Sequence, residues 1–214
     1  MRAASAPHAG PLAATGGQAG GVTHLLYLHG FRSSPLSFKA QRLHAWLQRH
    51  RPDVQWWCPQ LPPSPREALR LLHDGSAAWP AAGSAVLGSS LGGFYATVVA
   101  EARGWPAVLM NPAVDPARDL APFVGELGAF HTPEQRFTFR AEYLEQLRTM
   151  SPGAITRPER YFAIIAKGDE LLDWREMLAR YRGARIRLLE GSDHALSDYD
   201  DHQPHILKFL QLCD

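Results

Sequence analysis

The pentapeptide Gly88-Ser89-Ser90-Leu91-Gly92 has the form G-x-S-x-G, and the residues on either side decide what chemistry it can do. By average composition such a string arises by chance in roughly one chain of this size in ten, so the flanks carry the argument. Ser84 to Leu87 read as a buried strand, and Phe94 to Ala102 read as an apolar helix. A serine on a sharp strand-to-helix turn is held at strained backbone angles, and glycines two positions away on each side keep the neighbouring elements from clashing with it. The strain exposes the hydroxyl. Ser90 is therefore a candidate nucleophile.

A serine hydroxyl is weak at neutral pH and needs a base, with an acid behind the base to orient it. Arg160 to Ala166 is a strand-like run that ends in Lys167-Gly168-Asp169-Glu170, and Arg185 to Leu189 is another that ends in Glu190-Gly191-Ser192-Asp193-His194. Asp169, Glu170 and Asp173 are close neighbours in sequence. The turn directly after the strand favours Asp169 as the acid, and Asp173 falls where a helix cap is expected. The order Ser90, Asp169, His194 is the chain order of the α/β-hydrolase triad. An oxyanion needs two backbone donors, one after the nucleophile and one from an early loop. Leu91 N–H fits the first. Thr23 to Leu28 form an apolar strand ending in His29-Gly30-Phe31, and Phe31 N–H fits the second.

The strings Tyr27-Leu28-His29-Gly30-Phe31-Arg32-Ser33-Ser34-Pro35, Lys39-Ala40, Pro59-Gln60-Leu61-Pro62-Pro63, Gly88 to Ala96, Asn111-Pro112-Ala113-Val114, Gly168 to Asp173 and Gly191-Ser192-Asp193-His194-Ala195 together resemble the YqiA-like esterases, a small α/β-hydrolase family. The resemblance spans about residues 23 to 212. It implies a hydrolase of carboxylic esters or acyl thioesters, with nucleophile, acid and base at Ser90, Asp169 and His194. The first 22 residues have no counterpart in that pattern, and residues 115–152 match it only loosely. The same triad also serves amide and carbon–carbon bond cleavage, and a hydrolase fold can persist as a silent binding module.

With 214 residues, 45% of them hydrophobic and 20% charged, the chain can bury one large core. A net charge of +1 gives no nucleic-acid surface, and the arginines are interspersed with acids along the chain. Cys58 reads as a buried inert thiol and Cys213 as part of a frayed chain end. The histidines form no H-E-x-x-H or comparable cluster, so neither metal nor cofactor is expected. No run approaches the roughly 18 apolar residues of a membrane span. Residues 1–22, rich in Ala, Gly and Pro, read as a disordered tail and not a signal peptide, which makes the expected location cytoplasmic. The expected partner is a small acyl ester or thioester; the oligomeric state is open.

Stepping outward from these residues, strands are predicted near 24–28, 54–58, 84–88, 106–110, 160–166 and 185–189. Helices are predicted near 36–49, 65–73, 91–102, 139–149, 173–182 and 201–211. That alternation predicts a minimal, mainly parallel sheet of about six strands with helices on both faces over residues 23–214, and the triad order and the resemblance imply that it is an α/β-hydrolase fold. The stretch between the fourth and fifth strands exceeds a normal connection and reads as a small lid insertion at about 115–152. Its Phe123, Phe130, Phe137 and Phe139 are candidates for substrate binding, with helix packing as the alternative. Asn111-Pro112 reads as the turn that introduces the insertion. Arg32 and Lys39 lie near the oxyanion loop and are expected to be solvated or ion-paired.

Overall fold

The computed structural model describes residues 21–131, 134 and 136–213. Of the tail expected at 1–22, residues 1–20 lie outside the described residues, whereas Val22 is buried in the core. The packed fold thus begins slightly earlier than the composition suggests.

Six strands form one parallel sheet: β1 (His24–Leu28), β2 (Gln55–Trp57), β3 (Ser84–Ser89), β4 (Ala107–Met110), β7 (Tyr161–Ala166) and β8 (Arg185–Leu189). Their order across the sheet is β2-β1-β3-β4-β7-β8. Strands β3, β4 and β7 are buried along their whole length, as expected where helices cover both faces of a parallel sheet. Successive side chains on a strand point to opposite faces, which divides the core in two. Leu26, Leu28, Val86, Leu109, Ala163 and Ile165 pack on one face, against Leu72 of α2 (Pro65–Gly75), Phe94 and Ala96 of α3 (Leu91–Arg103) and Met177 of α6 (Trp174–Arg180). Leu25, Tyr27, Leu87, Val108, Met110 and Ile164 pack on the other, against Leu43 and Leu47 of α1 (Phe38–His50) and Ile206 of α7 (Tyr199–Phe209). This is the predicted architecture. No described helix is long and apolar enough to cross a membrane.

The insertion between β4 and β7 contains α4 (Pro116–Asp119), the antiparallel pair β5 (Gly125–Gly128) and β6 (Arg136–Phe139), and α5 (Glu142–Met150). The helix predicted from residue 139 starts at Glu142 instead. Arg136-Phe137-Thr138-Phe139 alternates polar and apolar residues, and that period of two places it in a strand. The β5–β6 pair is fastened to the loop after β1. Phe130 N–H donates to the Arg32 carbonyl at 2.8 Å, and Arg32 Nε–H donates to the Gly128 carbonyl at 2.8 Å. The Arg32 guanidinium also lies 4.4 Å from the Phe130 ring centroid. Loop and insertion therefore form one continuous wall at the C-terminal edge of the sheet.

Candidate active site

Ser90 stands between β3 and α3 with φ 56° and ψ −123°, a left-handed conformation that costs a non-glycine residue energy. The surroundings hold it there. Ser90 N–H donates to Met110 O at 3.0 Å, and its carbonyl accepts from Gly93 N–H at 2.8 Å and from Ala113 N–H at 3.0 Å. The turn has no room for side chains beside the serine: a Cβ at Gly92 would penetrate the Leu28 carbonyl, and one at Gly88 would penetrate the Gly92 carbonyl. The two glycines of the pentapeptide are thus required by close backbone approach.

Ser90, Asp169 and His194 come together from three strand ends. His194 Nε2 lies 3.0 Å from Ser90 Oγ, and its Nδ1 lies 2.8 Å from Asp169 Oδ2 and 3.0 Å from Oδ1. A carboxylate only accepts, so Nδ1 carries the proton and the Nε2 lone pair faces the serine hydroxyl. The Asp169 side chain has no exposed surface, whereas that of His194 is 16% exposed. Asp169 Oδ1 also accepts from the N–H groups of Leu171 at 2.9 Å and Leu172 at 2.8 Å, which fixes the carboxylate plane. Asp173 lies apart from this cluster and caps α6, accepting from Arg175 N–H at 2.8 Å.

Phe31 and Leu91 N–H donate to no acceptor among the described residues. The loop that carries Phe31 lies against Ser90, since a Cβ at Gly30 would stand 3.3 Å from Ser90 Cβ and 3.8 Å from its Oγ. His29 anchors this loop. Its Nδ1–H donates to Gly30 O at 3.0 Å and its Nε2 accepts from Leu61 N–H at 3.1 Å, so both ring nitrogens are engaged in the neutral form. Burial drives the His29 pKa down from 6.5 to about 4 and preserves that state.

A cavity of about 350 Å³ opens at Ser90 and His194, walled by Leu120, Phe123, Phe130, Leu171 and Leu172. A second, of about 410 Å³, is walled by Leu61, Pro62, Leu91, Tyr95 and Phe137, and His29 to Ser33 line both. The four phenylalanines of the insertion therefore have different surroundings. Phe123 and Phe130 face the cavity at the serine, Phe137 faces the second, and Phe139 is 1% exposed and lines neither. Phe139 is a packing residue whose ring meets Phe31 edge-on, with centroids 5.1 Å apart.

Two further residues hold the site together. Asn111, fully buried and at φ 42°, accepts from Ala166 N–H through Oδ1 at 2.8 Å. Its Nδ2 donates to the carbonyls of Asp193 at 2.9 Å and His194 at 3.2 Å. One side chain thus joins the end of β7, which leads to Asp169, to the loop that carries His194. Glu170 Oε2 accepts from His194 N–H at 3.0 Å, a second tie between those loops. In sequence Asn111 reads as a turn residue; only its polar type beside an apolar strand end hints at more.

Several solved structures share this architecture. Alpha/beta hydrolase domain-containing protein 10 from mouse superposes with a TM-score of 0.67 at 14% identity, covering 90% of this chain and 90% of that one. A structure from the work on LipS and LipT, two metagenome-derived lipolytic enzymes, gives 0.68 at 16% identity, covering 90% and 95%. Est1E from Butyrivibrio proteoclasticus with ferulic acid bound gives 0.65 at 13%, covering 92% and 91%. At these identities the likeness establishes the α/β-hydrolase fold. Residues 24–211, a span that takes in every strand of the main sheet and all three residues of the cluster, match the uncharacterised protein family UPF0227, the YqiA family, and the chain belongs to it.

Proposed function

We propose that the protein is a serine hydrolase of carboxylic esters or acyl thioesters that works through an acyl-enzyme. The observation that carries this reading is the unbroken chain from Ser90 Oγ through His194 to the buried carboxylate of Asp169, at the floor of a largely apolar cavity. Ser90 Oγ attacks the substrate carbonyl carbon while His194 Nε2 takes the hydroxyl proton, and Asp169 stabilises the resulting imidazolium. The negative charge that develops on the carbonyl oxygen is held by the free N–H groups of Phe31 and Leu91. Collapse of the tetrahedral intermediate breaks the carbon–oxygen or carbon–sulfur bond, and His194 returns its proton to the departing alcohol or thiol. Water then attacks the acyl-serine by the same route, releasing the carboxylic acid and free Ser90.

The insertion acts as a lid in this reading, with Phe123 and Phe130 offering apolar surface to the substrate. The lipolytic and esterase descriptions of the structural neighbours agree with the reaction class. A fluorophosphonate probe should label the wild-type protein at Ser90 and leave Ser90→Ala unlabelled. Ser90→Ala should also lower kcat for p-nitrophenyl esters by a factor on the order of 10⁴ or more without unfolding. A purified variant that keeps a tenth of the wild-type rate overturns the assignment.

A further inference from the structure

The cavity at Ser90 is apolar along much of its wall but carries an excess of positive charge. Arg32 and Lys39 line it, and the single carboxylate in its wall, Asp119, is occupied by Arg118 at 2.8 Å. Neither Arg32 nor Lys39 forms an ion pair with any carboxylate among the described residues, so of the two expected roles, solvated or ion-paired, the second is not seen. Arg32 is committed to the Gly128 carbonyl and the Phe130 ring. Lys39 is different. Its ammonium donates one hydrogen bond, to the carbonyl of Ala195, and two of its three donors remain free.

The position of that tether matters. Ala195 follows His194 in the chain, so Lys39 Nζ sits on the side of the cavity where the base stands. The leaving group must depart on that side, because it takes its proton from His194 Nε2. Lys39 also lies in the first turn of α1, which contains no acidic residue and whose N-cap, Ser37, makes no side-chain capping bond.

We propose that Lys39 binds an anionic group, carboxylate or phosphate, on the alcohol or thiol portion of the substrate. This rests on the ester or thioester hydrolase reading above and narrows it to substrates with a charged leaving group. An ammonium partly removed from water gains more from meeting an anion than an exposed one does, and burial already lowers the Lys39 pKa to about 8, with only Asp193 nearby to oppose it. Lysine acts here as a point charge and imposes no planar geometry, which suits either anion.

The test uses two matched pairs on the full chain. One pair is the butyryl ester of 3-hydroxybenzoate against that of its methyl ester; the other is S-butyryl-phosphopantetheine against S-butyrylpantetheine. Wild-type kcat/KM should favour the anionic member of at least one pair by about tenfold, the range of a charged hydrogen bond. Lys39→Met should bring that ratio close to one, and Lys39→Arg should retain most of it. Preference in the first pair only identifies a carboxylate, and in the second only a phosphate. A wild-type ratio of one in both pairs, or a ratio that survives Lys39→Met, overturns the proposal. Calorimetric binding of the same compounds to Ser90→Ala, with and without Lys39→Met, reads the preference without turnover. Failure of all hydrolysis and of fluorophosphonate labelling would therefore refute the hydrolase reading alone, while the ratio of Kd values still decides the role of Lys39.

Discussion

Leu61 N–H donates to His29 Nε2 at 3.1 Å, so the histidine that begins the Phe31 loop can be protonated only by giving up this bond. The folded protein holds His29 neutral down to about pH 4, whereas the unfolded chain protonates it near 6.5. Between those values the unfolded state binds the extra proton, so stability is constant above about pH 6.5 and falls as the pH drops toward 4. A gap of that size is worth on the order of 3 kcal/mol when fully expressed. Urea unfolding across this range should show a steeper loss for wild type than for His29→Gln; parallel curves would refute the assignment.

Asp173 caps α6, and in the proposed mechanism Asp169 is the acid. Asp169→Asn should cut kcat by several orders of magnitude, because an amide can stabilise neither the required tautomer nor the imidazolium. Asp173→Asn should act on stability alone, by about 1 kcal/mol at most, through a weakened start to α6. Steady-state kinetics beside thermal melts distinguishes the two, and the opposite pattern would transfer the acid to Asp173.

The phenylalanines of the insertion should divide by surroundings. Phe130 is 60% exposed at the cavity rim, so Phe130→Ser should penalise long acyl or alcohol chains more than short ones, at about 0.8 kcal/mol per methylene no longer sheltered from water. Phe139→Ala should instead destabilise the fold by about 3–5 kcal/mol and lower all rates together, since its ring supports Phe31 from within the core. A chain-length series measured on both variants tests the division. A uniform loss in Phe130→Ser would make that residue structural as well.

The sheet and the three-residue cluster were legible because their signals are local. Each central strand is a short apolar run, and each of Ser90, Asp169 and His194 follows such a run within a few residues. The β5–β6 pair was harder to see, since Gly125-Glu126-Leu127-Gly128 has little strand character and its pairing depends on Arg136 to Phe139 several residues later. Asn111 was illegible for a stronger reason: its partners lie 55 to 83 residues away, and no spacing rule links them. Lys39 likewise gave no sign that its partner would be the Ala195 carbonyl instead of a carboxylate.

Asn111 and Ala113 also fix where the insertion begins. The Asn111 side chain is bonded to the end of β7 and to the His194 loop, and Ala113 N–H is bonded to the Ser90 carbonyl, so the first residues after β4 are anchored to the segments that carry Ser90, Asp169 and His194. Chain downstream of Ala113 starts from a fixed mount. Within the insertion, Phe139 and Leu147 are buried in the core and keep it seated, whereas Phe123 and Phe130 at the cavity can change while the distances among Ser90, Asp169 and His194 are retained. Preference for a bound molecule can thus be rewritten at the cavity rim without disturbing the packing below it.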